Sequence, residues 1–184
     1  MSRIPDLDPD RMTDAQARVH AAIAAGPRGS VRGPLRVWLE SPGLAERAQA
    51  LGEYCRFNSR LPPRLSELAI LVTAVHWQSS YEWYAHAPPA LKGGLSAEVI
   101  DVLRRGQVPD FPHEDEAAVH AFATELLRTH QVAAATWDRT VAALGMAGVV
   151  DLVGILGYYG LISMTINAFQ VALPPGVPDP FAPA

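Results

Sequence analysis

Between Glu67 and His86 the chain reads ELAILVTAVHWQSSYEWYAH, and no other stretch limits the possible folds so sharply. Leu65, Leu68, Ala69, Leu71, Val72 and Val75 make its first half apolar nearly all round, the pattern of a helix buried on every side. Acidic and imidazole groups are set into this apolar ground at helical intervals. Glu82 and His86 are four residues apart, so on a helix they share one face within mutual reach. Ser79 lies three residues before Glu82 and joins that face, and Glu67 lies twelve residues before Ser79. Such groups are costly to bury unless they satisfy one another, which makes the quartet a candidate for chemistry.

The rest of the chain shows the same helical periodicity, with breaks at Gly and Pro and no strand alternation, so an all-α fold is expected. Thr13 with Gln16 forms a capping box that opens a helix ending near Gly26 and Pro27. Residues 29–33 read as a loop, and a short helix follows over 35–40. Ser41-Pro42 starts another that runs to about Phe57. Helices are then expected at 62–77 and from Ser79 to just past His86, where Pro88 and Pro89 should end or kink the second. That ending would put His86 at a helix C-terminus, where the backbone dipole favours the imidazolium. Further helices are expected at 96–106, 114–130, 135–144 and 147–171, and the tail from Pro174, with five prolines in eleven residues, should be extended. About eight helices result, in three parts: an N-terminal extension with the first helix (1–34), a helical domain (35–175) and a Pro-rich tail (176–184).

With 184 residues, 49% hydrophobic and 18% charged, the chain supports one folded domain with a sizeable core. A net charge of −4 with scattered Lys and Arg argues against nucleic acid as a partner. The N-terminus MSRIPDLDPDRMTD lacks an apolar signal core, and Cys55 is the only cysteine, which together suit a reducing cytoplasm. The last helix has no charge between Asp151 and Asp179 and is long enough to span a bilayer. Tyr158, Tyr159, Ser163, Thr165, Asn167 and Gln170 are spread through it, so it reads instead as a core or subunit-interface helix.

The motif and its flanks resemble the carboxymuconolactone decarboxylase family, which includes the alkylhydroperoxidase D-like proteins. RLSELAIL precedes the motif, HAPPALKGGLSAEVI follows it, and GYYGLISMTINAFQVALPPG is similar to the family's C-terminal segment, so the resemblance spans roughly 35–175. In the peroxidase branch, a Glu is followed at these intervals by two cysteines and a His. Here the cysteine positions hold Ser79 and Glu82. Disulfide peroxidase chemistry needs a low-pKa thiolate and a resolving thiol, so the resemblance does not carry that activity to this chain. The decarboxylase branch has a Glu four residues before its His, as Glu82 and His86 do. The resemblance implies an alkylhydroperoxidase D-like helical domain and a trimer or hexamer.

What remains is an acid–base constellation: His86 as proton carrier, Glu82 as its partner, Glu67 orienting the imidazole, and Ser79 donating to a substrate. Trp77, Tyr81, Trp83 and Tyr84 are expected to wall the site, with Tyr158, Tyr159 and Asn167 reaching it from the last helix. The expected activity is cofactor-free lyase or isomerase chemistry on a small carboxylated or lactone-like metabolite. The alternatives are a small-molecule-binding protein that has lost catalysis and a salt-bridged helix pair with no function. A metal held by Glu67, Glu82 and His86 is disfavoured, because the paired Glu-x-x-His spacing of di-iron bundles is absent. Cys55, beside Tyr54 and Phe57, reads as apolar filler, and His20, His113, His120 and His130 read as solvated surface.

Overall fold

The computed structural model describes residues 2–4 and 7–182. Among these residues there are eight α-helices and no strand. They are α1 (Asp14–Ala25), α2 (Pro34–Trp38), α3 (Pro42–Glu53), α4 (Pro63–Trp77), α5 (Ser80–Lys92), α6 (Ala97–Arg104), α7 (Glu114–Thr129) and α8 (Ala134–Phe169). A π-helical turn, Tyr54–Asn58, continues α3 and carries Cys55 and Arg56.

The apolar periphery of α4 puts it at the centre. Every residue from Leu65 to Ala74 is buried, and α5, α7 and α8 all pack against it. Each Leu or Ile so buried contributes about 1.5–3 kcal/mol, which makes α4 the energetic axis of the fold. The helix stops because Gln78 turns left-handed (φ 49°), and Ser79 N–H then donates to Ala74 O at 2.9 Å. That two-residue link folds α5 back along α4 as a helical hairpin.

Helix α5 departs from expectation. It runs through Pro88 and Pro89 to Lys92, so His86 lies in its middle rather than at its end. Both prolines already have helical φ, and the two hydrogen bonds they forfeit fall next to the exposed Tyr84, where solvent can reach. Ala90, fully buried beyond them, anchors the last turn. A dipole acting on His86 from a nearby C-terminus is therefore not available.

The two helices expected at 135–144 and 147–171 are both present within α8, separated at Gly145, whose backbone is non-helical (φ 69°, ψ 165°). The inner face of α8 (Leu152, Ile155, Tyr159, Ile162, Ile166) is buried, while Met146, Val150, Val153 and Met164 are exposed. By length and composition, α8 is apolar enough to cross a bilayer. The tail after α8 folds back: Phe181 packs edge-on to Trp83 at 5.5 Å, and Ser80 Oγ donates to Asp179 at 2.6 Å. Val19 and Ile23 bring α1 into the same core as α4 and α8. Pro183, in the expected extended tail, lies outside the described residues.

Candidate active site

The α4–α5 hairpin brings Glu67 and His86 together, and the helical repeat of α5 adds Glu82. Glu67 Oε2 lies 2.6 Å from His86 Nδ1, and Glu82 Oε1 lies 3.0 Å from His86 Nε2. All three side chains are buried. Burial alone would push the imidazole pKa down. The neighbouring charge of Glu82 and the hydrogen bond and charge of Glu67 outweigh it and raise His86 to about 9. At neutral pH the ring is thus an imidazolium donating from both nitrogens.

From α8, the Tyr159 ring stands edge-on to the imidazole with centroids 5.0 Å apart. Its hydroxyl is buried with no hydrogen-bond partner. Burial, then the Glu82 charge, holds the phenol pKa well above 10, so the group stays a proton donor. Tyr158, beside it, is pushed up to about 12, again chiefly by burial.

His86 and Glu82 open onto a cavity of about 400 Å³ whose walls include Tyr81, Tyr84, Tyr158 and Tyr159. Glu67 stands behind the imidazole, away from the cavity wall. Four further residues placed in the site by sequence, Trp77, Ser79, Trp83 and Asn167, lie off the cavity. Trp83, one position on from Glu82, is rotated by the helical step onto the far side of α5, against Phe181. Trp77 closes the end of α4, where its carbonyl accepts a hydrogen bond from Asn167 Nδ2 at 2.7 Å. Those two therefore tie α4 to α8. Ser79 is also off the cavity: it is fully buried at the hairpin turn, with its hydroxyl unpartnered, so it is not placed to donate to a substrate there.

The cavity also contains what the sequence reading missed. Arg28, Arg32 and Arg56 line it, from the loop before α2 and from the π-helical turn. The local signal was the run GPRGSVRG, in which glycines flank two arginines. Gly33 in that run has φ 55°, and a Cβ there would overlap the Tyr81 ring, so a glycine is required for the loop to close over the cavity.

His120 departs from expectation, whereas Cys55 is buried as expected. His120 is not solvated surface. It is buried, tilted against Phe111 at 5.1 Å, and desolvation lowers its pKa. Cys55 is buried, and burial pushes its thiol up to about 11, so it is not a thiolate at neutral pH.

Residues 42–125, which include Glu67, Ser79, Glu82 and His86, match the carboxymuconolactone decarboxylase family. The match is shorter than the 35–175 span suggested by the motif's flanks, but the likeness of fold covers more. An alkylhydroperoxidase D core structure, a peroxidase-related protein from Ralstonia eutropha JMP134, superposes with TM-score 0.76 at 16% identity, covering 98% of this chain and 94% of that one. The debrominase Bmp8, in a cysteine-to-alanine variant with 2,3,4-tribromopyrrole, gives TM-score 0.75 at 14% identity over 95% of each chain. A protein of unknown function from Agrobacterium tumefaciens, connected in name with the antioxidant defence protein AhpD, gives 0.68 at 15% identity, covering 78% of this chain and 99% of that one. At these identities the shared property is the fold. No curated protein matches the chain in sequence.

Proposed function

We propose that this chain is a cofactor-free acid–base enzyme, a decarboxylase-like lyase or an isomerase, acting on a small carboxylated or lactone-like metabolite. The observation that carries the reading is an imidazole held between two buried carboxylates at 2.6 and 3.0 Å, with one of those carboxylates facing a cavity. Both ring nitrogens are engaged, so a proton leaves His86 only through a carboxylate. Glu82 lines the cavity and Glu67 does not. Glu82 is therefore the group that exchanges a proton with substrate, His86 recharges it through Nε2, and Glu67 keeps the ring in place through Nδ1.

In a decarboxylation, the bond from the ring carbon to the carboxylate carbon breaks and carbon dioxide leaves. The electron pair remains on the ring carbon, delocalised into a neighbouring carbonyl. The proton on Glu82, drawn from His86, then adds to that carbon, and solvent returns a proton to the imidazole. In an isomerisation the same relay removes a proton at one carbon and returns it at another. The aromatic walls favour a flat ring, and a structural neighbour solved with a brominated pyrrole is consistent with a small ring as substrate class.

The test is turnover of a panel of carboxylated lactones and β-keto acids by wild type, His86→Ala and Glu82→Gln. Equal rates in all three would remove the relay from any mechanism. A second reading, a binding protein without chemistry, is favoured by the full engagement of both imidazole nitrogens; it predicts a ligand that copurifies and is recovered unchanged. Self-association as a trimer or hexamer belongs to the proposal as well, with the exposed apolar stripe of α8 as the contact face. Val150→Glu with Val153→Glu should then lower the sedimenting mass. A cytoplasmic location completes the reading.

A further inference from the structure

We infer that the guanidinium groups of this cavity form an anion subsite, anchored by Arg28, whose ligand is the carboxylate of a small ring compound. The inference rests on reading the cavity as the substrate site. Arg28, Arg32 and Arg56 share its walls with His86. Elsewhere in the chain Arg64, Arg104, Arg105 and Arg139 each reach a carboxylate within 3.1 Å. Among the described residues, no carboxylate comes within ion-pair distance of the three cavity arginines. Together with His86 they set four cationic groups around the site against the two carboxylates of Glu67 and Glu82. Arg32 is exposed and Arg28 and Arg56 are half-buried, so solvent screens part of that excess, and an anion in the cavity meets the remainder at short range.

Arg28 is held by a hydrogen bond, and Arg56 lies over the Phe57 ring at 5.2 Å. Arg28 Nη2 donates to the Tyr158 hydroxyl at 3.3 Å, and its Nε–H is buried with no acceptor. A buried donor without a partner is costly, and the guanidinium carries further N–H groups, beyond these two nitrogens, that can meet a carboxylate oxygen. The scaffold is cut away to seat it. Gly52, inside α3, lies so close to the Tyr158 hydroxyl and Arg28 Nη2 that a Cβ would overlap both. Helix α3 thus accepts a residue that weakens it to make room for this pair. Arg56 comes from the π-helical turn, whose wider turn changes the direction of the side chains that follow it, a local geometry common at functional sites.

The experiment is isothermal titration of the full chain with benzoate, its neutral isostere benzamide, and inorganic phosphate. Benzoate should bind saturably, at least tenfold tighter than either of the others, and more weakly as salt is raised. Arg28→Gln and, separately, Gly52→Ala should each reduce benzoate affinity at least tenfold, with helix content unchanged by circular dichroism. Arg28→Lys keeps the charge without the planar fork and should recover only part of the loss. Equal binding of benzoate and benzamide, phosphate binding tighter than benzoate, or unchanged affinity in Arg28→Gln would overturn the subsite. Benzoate does not react, so its binding stands or falls apart from catalysis. Binding without turnover of any panel compound would retain the subsite and remove the enzymatic reading. Turnover with a KM unchanged by Arg28→Gln would do the reverse.

Discussion

Helix α4 carries two clusters in which one cation is gripped by two carboxylates, and they serve different ends. At its start, Arg64 bonds Glu116 at 2.6 Å and Asp115 at 2.8 Å across to α7. One turn later, Glu67 joins Glu82 around His86 across to α5. In the first cluster the cation is a guanidinium whose pKa the Asp115 hydrogen bond raises still further, so its charge never changes. In the second, the cation is an imidazolium that releases its proton near pH 9, and one of its carboxylates meets a cavity. Paired charge by itself is therefore a staple. It becomes a candidate for chemistry only when the cation titrates and a ligand can reach it.

The contrast breaks most visibly at Arg64. Arg64→Met leaves Glu116, which is fully buried, without a counter-ion, and should cost about 3–5 kcal/mol in urea unfolding while turnover per folded molecule is retained. A loss below about 1 kcal/mol would remove the staple from the account. At the other cluster the expected effect is on rate. Glu82→Gln preserves shape but cannot carry a proton, and should lower turnover per folded molecule at least ~100-fold, or about 2.7 kcal/mol of barrier. If Glu82→Gln keeps its rate, the two clusters are alike and both are structural.

Stability against pH separates them more finely. The folded pKa of His86 is raised, to about 9 from 6.5, so the native chain binds more protons than the unfolded chain between these values. The stabilisation is complete below pH 6.5 and is lost as pH rises through 9, a decline of about 3 kcal/mol. Melting temperature should fall by roughly 5–10 °C across that window. His86→Gln should flatten that slope and Arg64→Met should leave it intact. The smallest effect is expected from Gly52→Ala, where overpacking against Tyr158 and Arg28 should outweigh the gain in helix propensity and cost about 1–2 kcal/mol by thermal unfolding. A stabilised Gly52→Ala variant would show that Arg28 moves aside freely.

Much of this molecule is legible from residue order, because helices are written locally. Thr13 and Gln16 form the expected capping box, with Thr13 N–H donating to Gln16 Oε1 at 2.9 Å. The spacing of Glu82 and His86 puts them on one face because the helical repeat leaves no other choice. The prolines of α5 misled, since a forfeited hydrogen bond stops a helix only when neighbouring packing does not favour continuing it, and Ala90 is fully buried just beyond them. The aromatic walls were half legible. Tyr81 and Tyr84 face the cavity, whereas the adjacent Trp83 and the earlier Trp77 turn away, since one step along a helix is a rotation of about 100°. Arg28 and Arg56 are twenty-eight positions apart, so no spacing rule reveals that they line one cavity.

Sequence by itself determined the helical class, the position of the central apolar helix and the intervals that link Glu67, Glu82 and His86, because backbone hydrogen bonding and side-chain period act over a few residues. Only the tertiary structure decided that the imidazole is enclosed by both carboxylates, that one of them faces a cavity, and that arginines from a loop and a π-helical turn gather around it. Those outcomes depend on how distant segments exclude water from one another. Charge, burial and access at a point in space are properties of that packing, and no local stretch of chain contains them.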